Sequence, residues 1–373
     1  MKVLVTGSDG FIAQNLIVRL KELADFEVVT FSRQVSLKQL AGLIADVDAV
    51  VHLAGVNRPP SPEDFIAGNT GLTEALCKAL LALDRVVPVI FTSSTQAALD
   101  NAYGKSKLDA ELALRAYATQ SGAAVYIYRL PNVFGKWCKP NYNSAVATFC
   151  NNITQGLPIH INDANAPLSL VYVDDVVNEF VEVLSNQPVF DATEFYSIPV
   201  HYQTTVGQVA QQLEAFRDSR TTLITEPVGT GLVRALYSTY MSYLLPDDFA
   251  YKVPKFGDPR GVFVEMLKTK DSGQFSYFTA HPGITRGGHY HHTKTEKFLV
   301  IKGQARFGFR HILTDETFTL LSSGDLPTVV ETIPGWSHDI TNIGDDEMIV
   351  MLWANEIFDR DHPDTIASRV THS

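Results

Sequence analysis

The amino-acid sequence predicts two folds in tandem, a doubly wound parallel α/β sheet followed by an all-β barrel or sandwich. Three observations point that way. The first half alternates short apolar runs with amphipathic stretches, the texture changes after about residue 245 to short strand-like runs divided by turn residues, and eight of the eleven histidines lie beyond residue 280. At 373 residues the chain exceeds one core of usual size, since a domain averages roughly 150 residues. The expected domains are therefore residues 1–245 and 246–373.

The first half reads KVLVTG, a helix carrying Leu16, Ile17, Leu20 and Leu23, then EVVTFSR, DAVVHLAG, VPVIFTSS and AVYIYRLPNVFG. Strands apolar on both faces and separated by helices imply a parallel sheet covered on each side. The stretch LLPDDFAYKVPKFGDPRG holds three prolines without a period, as a linker does. GVFVEMLKT, QFSYFTAH, EKFLVIKG, QARFGFRHI, TFTLL and EMIVMLWA follow as short strands.

Composition narrows the function classes. The hydrophobic fraction of 45% and charged fraction of 19% are ordinary for a globular protein. A formal net charge of -11 argues against a phosphate-tracking surface, so nucleic acid is not an expected partner. Cys77, Cys138 and Cys150 have no CxxC spacing, hence neither a disulfide framework nor a thiolate cage is expected. MKVLVTG enters a strand without a signal peptide, and no run reaches the roughly 20 apolar residues of a membrane span. A soluble, cytoplasmic protein with no membrane partner is expected.

Two constellations carry chemistry. In TGSDGFIA, Gly7 and Gly10 stand where a strand turns into a helix, and Ala13 follows in the helix. Glycine lets the backbone approach a pyrophosphate, and the helix N-terminus offers free N–H groups. We assign Gly7, Asp9, Gly10, Phe11 and Ile12 to a dinucleotide. Strand two ends in Ser32 and Arg33 where NAD-selective folds carry an acid, and a cation there suits a 2′-phosphate, hence NADPH. Tyr103 and Lys107 are four apart on one helical face. The ammonium is expected to lower the phenol pKa so that Tyr103 passes a proton to a carbonyl as hydride arrives, with Thr95, or failing it Ser94, bonding the same oxygen.

The second constellation is GITRGGHYHHTKTEKFLVIKG, followed by IPGWSHDITN. His289 and His291 are two apart and so share one face of a strand, and Glu296 and His338 would arrive from neighbouring strands. Three imidazoles and a carboxylate suit a divalent metal, zinc first, with iron, nickel or manganese also accepted.

With these residues in view, the first 240 positions resemble the extended short-chain dehydrogenase/reductases that act on nucleotide sugars, which implies a Rossmann-type fold. TGSDGFIA resembles their dinucleotide turn, VVHLAG their cofactor-flanking strand with Leu53, Ala54 and Gly55, NTGLTEAL their central helix with Asn69, and RLPNVFG their substrate-side strand with Asn132. The chain departs from that pattern at Ala13, Leu168 and Tyr172, and only seven residues separate Thr95 from Tyr103. The histidine segment resembles both cupin signatures, Gly283 to Gly303 and Gly335 to Asn342, which implies a jelly-roll β-barrel with His289, His291, Glu296 and His338 as ligands. DPRGVFVEM and RGGHYH also resemble the metal-independent deoxysugar 3,5-epimerases, in which the residue matched by His289 is the base. Tyr290, His292 and Lys302 are further candidate proton carriers, and Arg260 and Arg286 candidate diphosphate holders.

The whole chain resembles a bifunctional family of capsular-polysaccharide and O-antigen enzymes that make UDP-2-acetamido-2,6-dideoxy-L-talose. The resemblance implies a UDP-sugar substrate, epimerisation at C3 of a 4-keto sugar by the cupin, NADPH-dependent reduction at C4 by the reductase, and a homodimer. Two other readings stand beside it: a reductase whose cupin serves only for dimerisation, and a non-catalytic NADP or ligand sensor.

Overall fold

In the computed structural model, residues 1–58, 61, 63–186, 191 and 195–371 are described. The chain divides into two units, Met1–Leu213 with Ala235–Leu244, and Glu214–Arg234 with Leu245–Ser373.

The first unit opens with β1 (Lys2–Thr6), α1 (Phe11–Glu22), β2 (Glu27–Phe31), α2 (Leu37–Ile44) and β3 (Ala49–His52). A one-turn α3 (Glu63–Phe65) and a π-helical stretch Ile66–Gly71 lead into α4 (Leu72–Leu81), β4 (Val89–Ser94), α5 (Ala102–Ser121) and β5 (Val125–Leu130). The strands form one parallel sheet in the order β2-β1-β3-β4-β5. The two-residue period of a strand explains the double winding. Val3, Val5, Val51 and Tyr126 pack with Leu16 and Leu20 of α1, while Leu4, Val50, Phe91 and Ile127 pack on the opposite face with Leu40, Leu76 and Leu114. Strand order reverses between β1 and β3, the switch point where open α/β sheets bind ligands beyond the strand carboxyl ends. A small sheet of β6 (Asn132–Phe134), β7 (Pro167–Tyr172) and β8 (Tyr202–Thr205) follows, with α6 (Ala145–Thr154) and α7 (Val173–Asn186) between them.

The second unit is sheet-rich. Its strands are β9 (Ile224–Thr225), β10 (Lys255–Asp258), β11 (Gly261–Thr269), β12 (Gly273–Ala280), β13 (Thr285–Tyr290), β14 (Glu296–Lys302), β15 (Gln304–His311), β16 (Thr317–Ser323), β17 (Val329–Glu331), β18 (Trp336–Asn342), β19 (Met348–Ala354) and β20 (Ile366–Ala367). One sheet runs β10-β11-β12-β19-β14-β17 with β9 added on β11, and the other runs β16-β15-β18-β13-β20. Phe278, Phe298, Val300 and Val350 of the first pack against Phe307, Phe309 and Ile340 of the second in one shared core. Among the described residues the pairing leaves both sheets open. The barrel-or-sandwich expectation thus takes the form of two facing sheets, without the closed barrel.

Candidate functional site

In the first unit a cleft of about 930 Å3 opens where the turns after β1, β2, β3, β4 and β5 converge. Gly7 forms its floor with φ +67°, and a Cβ there would lie 2.7 Å from the Ala54 backbone. The close approach of the two turns therefore requires glycine. Thr6 fixes the second turn, since its Oγ1 accepts from the amides of Leu53 and Ala54 at 3.2 Å and contacts His52 Nδ1 at 2.7 Å. His52 Nε2 meets Thr73 Oγ1 at 2.9 Å, and that hydroxyl donates to Asn69 O. This leaves Nε2 of His52 as the N–H donor. Burial pushes its pKa down to about 3, so the ring is a neutral structural strut.

Gly10 caps α1 without a side-chain bond, leaving helix-terminal amides facing the cleft beside Asp9, Phe11 and Ile12. Arg33 lies on the rim, exposed, and makes no ion pair among the described residues. The neighbouring Ser32 hydroxyl instead caps its own turn, accepting from the Gln34 amide. The charge and the open amides at this end fit the phosphates of a dinucleotide. Asn69, assigned above to the cofactor, is buried: it accepts from Val56 N at 2.7 Å and donates to Val56 O and Ser106 Oγ. It locks the turn after β3 to α5, and it sits in the π-helical stretch, a frequent mark of a functional site.

Ser94, Tyr103 and Lys107 all line the cleft. Of the two hydroxyls, Ser94 lines the cleft with Tyr103, whereas Thr95 is exposed and begins a 3-10 turn, Thr95–Ala98, that Ser94 caps. Lys107 is buried and donates to Thr92 O at 3.0 Å. The expected acidification of Tyr103 by Lys107 is not what the geometry gives. Burial raises the phenol pKa, and the neighbouring Ser94 hydroxyl acts the other way. Burial also lowers Lys107 to about 8, against the pull of Glu111. Asn132 lines the opposite wall and donates to Ser169 O at 3.3 Å. Arg58, Lys139 and Tyr142 also line the cleft. Sequence reasoning passed over them because loop cations and aromatics carry no periodic signal.

In the second unit His289, His291, Glu296 and His338 place one ligand atom each within 4.8 Å of one another. The register is the reason. His289 of β13 lies directly opposite His338 of β18, after a one-residue slip at Gly287, and the ring centroids are 4.6 Å apart. Glu296 opens β14, and its Oε2 stands 3.3 Å from both His291 Nε2 and His338 Nε2. Burial alone would raise Glu296, but contact with His291 and His338 and the Lys294 ammonium hold it below the usual carboxylate range. Burial lowers His289 to about 4. Neither ring nitrogen of His338 has a hydrogen-bond partner among the described residues. A buried imidazole with unpaired nitrogens, beside a carboxylate and two further imidazoles, fits a divalent cation.

The other candidates divide. Tyr290 ends β13 and His292, like the ligand His291, lies in the turn beyond it; the Tyr290 and His292 rings pack edge-on against each other. Lys302 is exposed, six residues along β14 from Glu296, roughly 20 Å at strand rise, too far to act at the cluster. Arg260 is exposed and tied to Asp258 at 2.6 Å. Arg286 stacks over Phe278, and its buried Nε has no partner among the described residues. Lys294, buried and 3.4 Å from Glu296 Oε1, was missed because HHTKTEK reads as a solvated turn.

Comparison with known proteins places both halves. Residues 3–198 match the NAD dependent epimerase/dehydratase family and residues 256–366 the polysaccharide biosynthesis C-terminal domain. A curated relative from Pseudomonas aeruginosa, UDP-2-acetamido-2,6-beta-L-arabino-hexul-4-ose reductase, is 57% identical over 370 residues, 99% of either chain. The crystal structure of the capsular polysaccharide assembling protein CapF from Staphylococcus aureus is 40% identical with TM-score 0.91, covering 99% of this chain and all of that one. A UDP-glucuronic acid 4-epimerase from Bacillus cereus shares the fold of 65% of this chain and 98% of its own, at TM-score 0.55 and 19% identity. On the extent of these matches, the chain belongs to the NAD dependent epimerase/dehydratase family and carries a polysaccharide biosynthesis C-terminal domain.

Proposed function

We propose that the chain is a bifunctional sugar-nucleotide enzyme of bacterial surface-polysaccharide synthesis. Its second unit epimerises C3 of a UDP-4-keto-6-deoxy-hexosamine, and its first unit reduces C4 with NADPH to give UDP-2-acetamido-2,6-dideoxy-L-talose. The observation that carries the reading is the meeting of Ser94, Tyr103 and Lys107 in one cleft, in a chain 57% identical to a protein named as a UDP-hexul-4-ose reductase. The C-terminal unit is taken as the cupin-type epimerase, and the two domains as residues 1–245 and 246–373.

A nicotinamide bound in the cleft would supply hydride to C4. Tyr103 gives its proton to the C4 oxygen, so the carbonyl gains one hydride and one proton and becomes an alcohol. Ser94 orients the phenol, Lys107 keeps a positive charge in the cleft, and Arg33 receives the 2′-phosphate. Asn132 contacts the sugar. In the second unit His289, His291, Glu296 and His338 would hold a divalent ion, zinc first, which supplies Lewis acidity. Arg286, with its unpaired Nε, and Arg260 hold the diphosphate. A cytoplasmic homodimer belongs to the same proposal, supported by the edge strand β16, where Phe318 and Leu321 stand exposed.

The test is NADPH oxidation with a UDP-4-keto-6-deoxy-hexosamine. The parent protein is expected to consume NADPH only with that substrate, and no consumption would contradict the reductase assignment.

A further inference from the structure

The segment after the last long strand returns across the histidine cluster. Asp364 Oδ1 accepts from the His292 amide at 2.9 Å. Its Oδ2 accepts from the amides of Thr293 and Lys294, at 2.7 and 2.8 Å, and from the Thr293 hydroxyl at 3.0 Å. One carboxylate thus takes the three successive amides of the turn joining His291 to Glu296. The backbone carbonyl of the same residue meets His291 Nδ1. A carbonyl can only accept, so Nδ1 carries the proton; in the neutral ring the lone pair of Nε2, 3.3 Å from Glu296 Oε2, is then left for a cation that the carboxylate would share.

The strand that follows is anchored in turn to the other ligands. β20 pairs with β13, setting Ala367 opposite His289, and Ser368 N donates to Gly288 O at 2.8 Å. Ser337, the neighbour of His338, donates its hydroxyl to Ser368 O. The buried Arg310 donates to Arg369 O at 3.0 Å and to Ser368 Oγ at 2.8 Å. Residues 364–369 therefore touch the backbone or the ring beside each of the three histidines.

We infer that Asp364 is a positioning residue for the four-ligand cluster: its side chain locks the turn from His291 to Glu296 while its carbonyl selects the His291 tautomer that can bind a metal through Nε2. This rests on the metal reading proposed above. Partners that orient a ligating histidine are worth about 10–100-fold in metal affinity. Loss of one carboxylate here removes four hydrogen bonds and frees the residue whose carbonyl holds the ring.

The test uses the full chain. Zinc content after dialysis, zinc affinity by chelator competition, and the visible spectrum of the cobalt-loaded protein are measured for the parent, Asp364→Asn, Asp364→Ala and His291→Ala. Far-UV circular dichroism and NADPH binding by the first unit serve as checks on folding. Expected are one metal per parent chain, an affinity about 10-fold or more weaker for Asp364→Ala, a smaller loss for Asp364→Asn, and a changed cobalt spectrum in both. Parent-like affinity and spectrum in Asp364→Ala would overturn the inference and leave the metal centre standing. A parent chain that holds no divalent metal would overturn both. Should Asp364→Ala fail to fold, the asparagine variant decides by the same two readings, since it retains the side-chain shape.

Discussion

The Lys107 ammonium donates to the carbonyl of Thr92 at 3.0 Å, two residues before Ser94 on the same strand. The helix that carries Tyr103 and Lys107 is thus tied to the end of β4 through Lys107. Lys107 also lies 5.0 Å over the Phe91 ring, so its charge is buried and fixed before any ligand arrives. Positioning of this kind, more than acidity of the phenol in the free protein, is what the fold supplies to the reaction.

Removing the proton donor is the first test of these roles. Tyr103→Phe is expected to lower the rate of reduction by about 10²–10⁴-fold while leaving NADPH binding and thermal stability close to the parent. Stopped-flow NADPH oxidation and fluorescence titration of the cofactor measure the two separately.

Lys107 sets a pH limit. Burial lowers its pKa to about 8 from the ordinary 10.5, so the unfolded chain holds this proton over a window in which the folded chain has released it. Stability from this group therefore rises with pH between about 8 and 10.5, as linkage requires when the unfolded state binds more protons. Activity moves the other way, because the charge in the cleft is lost over the same range. A pH profile of kcat/KM should fall above about pH 8, and Lys107→Met should be slow and flat across it.

Arg33 is exposed on the cleft rim without an ion pair among the described residues, so its guanidinium is available to a 2′-phosphate. Arg33→Ala is expected to weaken NADPH by about 10-fold or more, the worth of a charge-assisted hydrogen bond, and to leave NADH nearly unchanged. Initial rates with each cofactor report this. Equal use of both by the parent would remove the selectivity assigned to Arg33.

The short segment between Ser94 and Tyr103 makes its own demand. A Cβ at Gly104 would sit 2.2 Å from Gln96 O and 2.7 Å from Leu99 O, so the 3-10 turn packs directly on the start of α5. Gly104→Ala is expected to cost about 1–3 kcal/mol and to lower Tm by several degrees. It should also displace Tyr103, so reduction slows even where the protein is folded.

Several of these features are legible in the sequence. The Gly7 turn and the Tyr103 and Lys107 spacing follow strand and helix periods that side chains must obey, and His289, Glu296 and His338 do lie on strands, whereas His291 falls in the turn beyond β13. Ser94 over Thr95 is not legible, because it depends on where the strand yields to the 3-10 turn, a matter of one residue. Asp364 and Lys294 are not legible either. Nearly seventy residues separate the former from the turn it holds, and the latter is a lysine in a polar run whose burial only the packing of Phe358 and Glu296 reveals. The open edges of both sheets in the second unit follow from long-range pairing, and the two-residue β9 is too short to carry a period-two signal.

In the proposed sequence epimerisation at C3 precedes reduction at C4. Only while C4 is a ketone can the C3 proton be removed, because the carbanion becomes an enolate, and reduction ends that window. The direct measurement is deuterium at C3 by NMR when Tyr103→Phe is given the UDP-4-keto substrate in D2O. The expected result is deuterium at C3 with no reduced sugar. Absence of deuterium there, while the parent enzyme makes epimerised product, would contradict that order.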